Sequence, residues 1–183
     1  MYRLAGDLKE GRAVAEYFNW NGTRAGKIND KKPAGGRGIA VLIRRHLQEF
    51  PGDRVAIVGN SWGGHTALEV AAALKDDEAP LAIDLAIFLD ASSAARAPAR
   101  PKTLPINVAR AVSYYTHNRF VWGKWEAGRR LENIDLGDSK QRFMTDGRPP
   151  YDAPMDFRAH VAAEWDEMIH ADIKRRLLDL LPE

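Results

Sequence analysis

At 183 residues, 45% of them hydrophobic and 28% charged, the chain has enough apolar surface for a core and is most simply one domain, residues 1–183. A net charge of +2 leaves no footprint for nucleic acid or an anionic membrane, and the lack of cysteine excludes disulfides and thiolate chemistry. Residues 1–7 carry no signal-peptide core and no apolar run reaches membrane-spanning length, so a soluble, cytoplasmic chain with no membrane span is expected.

Residues 12–20 read as a strand closed by the turn signal Asn21-Gly22, and residues 23–37, polar and rich in Gly and Lys, as a loop. Residues 38–50 set Ile39, Leu42, Ile43, Leu47 and Phe50 on one helical face, and Pro51-Gly52-Asp53 stops that helix. A short strand then runs into Gly59-Asn60-Ser61-Trp62-Gly63, followed by a helix-forming segment over residues 66–75. Residues 81–90 are an almost continuous apolar run, as expected of a strand buried on both faces; Asp84 inside it marks a sheet edge or an earlier strand start. Residues 91–105, rich in small residues and Pro, read as a surface loop. Residues 107–116 and 131–136 are further strands, and residues 141–154 a loop. Residues 162–181 form one long C-terminal helix, with Trp165, Met168, Ile169, Ile173, Leu177 and Leu180 at helical spacing. Strands alternating with helices imply an α/β fold: a mainly parallel sheet flanked by helices, with function at the carboxyl ends of the strands.

Strand, Gly-x-Ser-x-Gly turn and helix in that order are the setting of a nucleophile elbow. The turn strains its central residue, and Gly59 and Gly63 let strand and helix approach closely. Ser61 then stands at the tip as nucleophile, and Trp62 offers its backbone N–H to an oxyanion. The plainer alternative is an ordinary Gly-rich strand-to-helix turn.

A nucleophilic serine needs a base and an acid to orient it. Asp90 closes a buried strand, where an unpaired carboxylate is costly. It reads either as the acid or as a loop anchor using Ser92 or Ser93. Asp135 and Asp138 are the alternative acids. Among five histidines, His46 reads as surface, His65 lies on a helix running away from the reaction face, and His117 follows a strand. His160, in or just after a loop before the C-terminal helix, suits a base that swings onto Ser61. His170 is the alternative base, although a packed or capping role suits its helical position. No histidine pair with a carboxylate suggests zinc, and no metal or cofactor is expected.

The elbow Gly-Asn-Ser-Trp-Gly-Gly-His-Thr-Ala and the order Ser, acid, His resemble the α/β-hydrolases, more narrowly their small lipase- or esterase-like members. Asn107–Tyr115 resembles a family strand ending in an aromatic pair, and Glu132-Asn133-Ile134-Asp135-Leu136 the strand before the histidine loop. The spacing from His160 to Ile169, His170 and Ile173 resembles that between catalytic histidine and closing helix. The resemblance implies a three-layer α/β sandwich, with Ser61 as nucleophile, Asp90 as acid and His160 as base. It also implies hydrolysis of a small-molecule ester or acyl substrate (a carboxylic ester or thioester) through an acyl-serine.

Asn60 stands where the family more often has histidine. Family members also carry strands ahead of residues 12–20, and a loop after one of them supplies a second oxyanion N–H. A missing donor costs about 3 kcal/mol, or roughly a hundredfold in rate. Three explanations stay open: residues 19–26 substitute, the recorded start is truncated so that the first strands are lacking, or activity is lost. The last of these gives the alternative function, a catalytically impaired scaffold that binds a ligand or protein. Phosphate binding at the Gly-rich turn is a third reading, weakened by the absence of the P-loop Lys-Ser/Thr pair. The loop at residues 91–105 and the aromatics Tyr114, Tyr115, Trp122 and Trp125 either wall a substrate pocket or pack as core and lid. Oligomeric state is left open.

Overall fold

The computed structural model describes residues 14–16, 18, 35–76, 78–91, 103–119, 121, 124–126, 128–138, 151 and 157–181. In chain order these form α1 (Gly35–Glu49), β1 (Ala56–Asn60), α2 (Trp62–Lys75), β2 (Ile83–Leu89), β3 (Val108–Tyr115), β4 (Leu131–Asp135), α3 (Phe157–Trp165) and α4 (Glu167–Leu178). The strands make one parallel sheet in the order β1-β2-β3-β4.

Each face of the sheet buries its own core, as parallel sheets require. Leu85, Ile87 and Leu89 of β2, with Val112 and Tyr114 of β3, pack against Ala159 and Ala163 of α3 and Ile169, Ile173 and Leu177 of α4. On the other face, Ala86 and Phe88 meet Ala67, Val70, Ala71 and Leu74 of α2 and Ala40 of α1. The alternation along β2 divides the two cores, and the result is an α/β three-layer arrangement. Asp84, the second residue of β2, accepts the Val55 N–H through Oδ2 at 2.8 Å and so fixes the entry to β1. No helix among the described residues is long and apolar enough to cross a membrane.

The register aligns the carboxyl ends of the strands: Asn60 lies opposite Leu89, and Leu89 opposite Tyr114. Ser61, Asp90 and Thr116, each one or two residues further on, therefore emerge at one edge.

Four expectations are corrected. Of residues 12–20, residues 14–16 carry no strand and Phe18 makes a single β-bridge; the others lie outside the described residues. Residues 35–37 are helix, not loop. A Cβ on Gly36 would come 2.3 Å from the Glu69 Cβ, so the glycine lets α1 sit directly on α2, and its N–H reaches Glu69 Oε2 at 3.3 Å. That tertiary contact overrides the weak local propensity. Helix α2 starts at Trp62, directly off the elbow, rather than at residue 66. The C-terminal segment is two helices. Asp166 leaves helical geometry (φ −69°, ψ 113°), and its Oδ1 accepts the Met168 and Ile169 N–H groups at 2.9 and 3.4 Å. It thus caps α4 and ends α3. Residues 23–34, 92–102, 141–150 and 152–154, expected as loop, lie outside the described residues.

Candidate active site

Ser61 is held in a strained conformation (φ 49°, ψ −118°) between the end of β1 and the start of α2. Its N–H donates to the Leu89 carbonyl of β2 and its carbonyl accepts from the Gly64 N–H of α2, both at 3.0 Å, so β2 and α2 together hold the strained conformation. A Cβ on Gly59 would lie 2.6 Å from the Gly63 carbonyl oxygen, and one on Gly64 2.2 Å from the Ala91 Cβ. Close approach therefore depends on Gly59 and Gly64. A Cβ on Gly63, expected to share that role, would meet nothing within 4 Å.

His160 Nε2 lies 2.9 Å from Ser61 Oγ, and His160 Nδ1 lies 2.8 Å from Asp90 Oδ2. His160 is the fourth residue of α3 rather than part of a loop before the C-terminal helix. Ala159 and Ala163 seat that helix on the core, and the Phe157 ring, one turn back, packs on the imidazole with centroids 4.9 Å apart. His160 is 7% exposed and Asp90 is fully buried.

A carboxylate buried this completely needs several donors. Besides His160, Asp90 accepts from Thr116 twice, from N–H to Oδ1 at 3.1 Å and from Oγ1–H to Oδ2 at 2.8 Å. Asp90 itself adopts φ 42°, its N–H donating to the Tyr114 carbonyl at 2.7 Å. With Asp90 as acceptor, Nδ1 carries the imidazole proton and Nε2 presents its lone pair to the serine hydroxyl. Thr116 was not singled out from the sequence; the available signal was a polar side chain just past a buried strand, the same position that singled out Asp90. Ser92 and Ser93 lie outside the described residues.

Trp62, the other sequence-based candidate here, opens α2. Its N–H lies in the first turn, where the helix dipole favours negative charge. The neighbouring Asn60 Oδ1 is buried and takes no hydrogen bond from the described residues.

The alternative acids and base stand elsewhere. Asp135 contacts His117 Nε2 at 2.7 and 2.9 Å through its two oxygens and accepts from Tyr115 OH at 2.9 Å and Gly137 N–H at 2.9 Å. Burial pushes its carboxyl up, but the bonds from His117 and Tyr115 outweigh this and hold it below the usual range. Asp138 follows at the next turn, its N–H 3.3 Å from the Asp135 carbonyl. His170 Nε2 sits 2.6 Å from the Glu164 carbonyl and must donate there, and burial keeps this imidazole below its ordinary value. His46 pairs with Asp53 at 2.7 Å and His65 with Glu69 at 3.5 Å.

Tyr114 and Trp125 are core: the first reaches Asp172 with its hydroxyl, and the second packs on Phe88. Tyr115 is nearly buried, its phenol pushed up to about 12 by burial and the bond to Asp135. Trp122 lies outside the described residues, as do residues 19–26, the expected source of a second oxyanion donor. Among the described residues, no group of three or more His, Asp or Glu is placed to hold a metal ion.

Residues 19–181 match the family model described as the alpha/beta hydrolase family. No curated protein matches the chain.

Proposed function

The chain belongs to the alpha/beta hydrolase family, and on that premise we propose that Ser61, His160 and Asp90 act as a catalytic triad that hydrolyses a carboxylic ester or thioester of a small molecule. The observation that carries this reading is the unbroken line from Ser61 Oγ to His160 Nε2 and from Nδ1 to Asp90, at 2.9 and 2.8 Å. The first contact is of the length at which a proton transfers between a nucleophile and its base, and the second holds the imidazole in the orientation that transfer needs.

In the first step His160 Nε2 takes the Ser61 hydroxyl proton as Oγ bonds to the carbonyl carbon of the substrate. The carbonyl oxygen gains negative charge at the amino end of α2, where the Trp62 N–H and the helix dipole stabilise it. The tetrahedral intermediate collapses, Nε2 returns the proton to the departing alcohol or thiol, and the acyl group stays on Ser61. Water then attacks the acyl carbon with Nε2 again as base, the bond to Oγ breaks, and Nε2 returns the proton to Oγ as the acid is released. Asp90 holds Nδ1–H throughout and balances the imidazolium charge, while the strain at Ser61 keeps Oγ in place without further reorganisation.

Hydrolysis of p-nitrophenyl acetate by the folded protein tests the reading. Ser61→Ala is expected to lose at least ~10³-fold in kcat/KM. Equal turnover by wild type and Ser61→Ala would overturn it.

A further inference from the structure

At the opposite edge of the sheet, roughly 20 Å from the Ser61 edge along β3, a cleft of about 300 Å³ opens between the amino-terminal parts of β2, β3 and β4 and the carboxyl end of α4. Its apolar lining comes from Leu85, Ala111, Val112 and Leu131. Five arginines line it: Arg110 from β3, Arg129 and Arg130 from the turn before β4, and Arg175 and Arg176 from α4, against the carboxylates of Glu132 and Asp179.

Three of these cations are accounted for by the fold. Arg175 and Arg176 complement the carboxyl end of α4. They clasp buried Asp172 at 2.8 and 3.0 Å, Arg176 forks onto Glu132 at 2.7 and 3.1 Å, and Arg175 reaches Asp179 at 3.2 Å. Arg130 Nη1 donates to the carbonyls of Pro105 at 3.2 Å, Ile106 at 3.1 Å and Val108. The guanidinium groups of Arg110 and Arg129, both exposed residues, take no hydrogen bond or ion pair among the described residues.

Like charges gathered within about 8 Å repel with little screening at physiological salt, and an apolar wall strengthens their field. Two uncommitted guanidinium groups beside three fixed ones are relieved by an anion that brings about two negative charges, the charge of a phosphate monoester near neutral pH. The planar fork of arginine matches phosphate oxygens in pairs, and the volume lies at the small end of ligand pockets. We propose that this cleft binds a phosphate-bearing small molecule, with Arg110 and Arg129 as its principal contacts.

Calorimetric titration of the full chain with pyrophosphate and with adenosine monophosphate, sodium chloride holding ionic strength constant, tests this. Saturable binding tighter than ~1 mM is expected, with the Arg110→Ala/Arg129→Ala double variant at least ~10-fold weaker. Ser61→Ala is expected to bind as wild type does, because the cleft is independent of the hydrolytic site. Absence of saturable binding by wild type, or equal binding by the double variant, would overturn the proposal. So would capture of a single-stranded oligonucleotide with no binding of either small phosphate.

Discussion

Among the described residues, Thr116 supplies two of the three hydrogen bonds on the buried Asp90 carboxylate, one to each oxygen. It touches no reacting atom, so it is a positioning residue that acts through Asp90. Removing the hydroxyl in Thr116→Val costs a hydrogen bond to a charged group, about 1.5 kcal/mol or more. It is expected to lower kcat roughly tenfold with KM unchanged, Thr116→Ser restoring the rate. In an Asp90→Asn background the same change is expected to add little, since the two residues act as one unit; steady-state ester kinetics of the four proteins measure both effects. The glycines of the elbow differ in the same concrete way. Gly64→Ala drives a Cβ into Ala91 and is expected to cost about 1–3 kcal/mol. Gly63→Ala, entering open space inside a helix, is expected to be neutral or stabilising by up to about 1 kcal/mol; thermal melts of the two variants check the contrast. At this scale much was legible in the sequence. Ser61 sits in a local pattern, and Asp90 stands out as a charge closing an apolar run. Thr116 was not legible, because a threonine after a strand is common and acquires a partner only when the β2–β3 register sets it beside Asp90.

Helix α4 is fastened to the sheet through charge as well as apolar contact. Asp172 accepts from Tyr114 OH of β3 at 2.5 Å and from Arg175 and Arg176, and Arg176 continues to Glu132 of β4. Burial raises the Asp172 carboxyl, but the hydrogen bonds from Tyr114, Arg175 and Arg176 outweigh it and hold the group well below the carboxylate range. A group depressed in the folded state takes up its proton more readily when unfolded. Its stabilisation is therefore complete above the unfolded value of about 4 and is lost as pH falls below it. Asp172→Asn is expected to destabilise the protein by about 2–3 kcal/mol at pH 7, with the difference from wild type shrinking as pH drops from 5 to 3; urea unfolding at several pH values measures it. The existence of α4 was readable from its apolar spacing, but the break before it was not. Trp165-Asp166-Glu167 contains neither Gly nor Pro, and the run of helical spacing passes straight through. What ends α3 is the Asp166 carboxylate, anchored by the buried Tyr151 hydroxyl at 2.8 Å. That contact spans 15 residues and leaves no periodic trace. The early start of α1 was hidden similarly, since its three glycines look like loop until Glu69 and Val70 of α2 stand against Gly36.

Across the whole molecule, the parallel sheet brings residues 61, 90 and 160, far apart in the chain, to one edge. The alternation of strands and helices made an α/β sheet legible. The strand order and the register that aligns the strand ends are set by pairing between segments distant in sequence, and composition carries no record of it. The opposite edge gathers arginines from β3, the turn before β4 and α4, a convergence equally invisible in a chain whose net charge is only +2. The fold thus separates a buried hydrogen-bonded line at one end of the strands from a cationic cleft at the other. The central claim is that Ser61 is a nucleophile activated by His160. Reaction of the folded chain with a fluorophosphonate, read by peptide mass spectrometry, tests it most directly. The expected result is one adduct, on the peptide carrying Ser61, absent in Ser61→Ala and formed far more slowly in His160→Ala; an unmodified wild type, or an adduct on another residue that persists in Ser61→Ala, would contradict the claim.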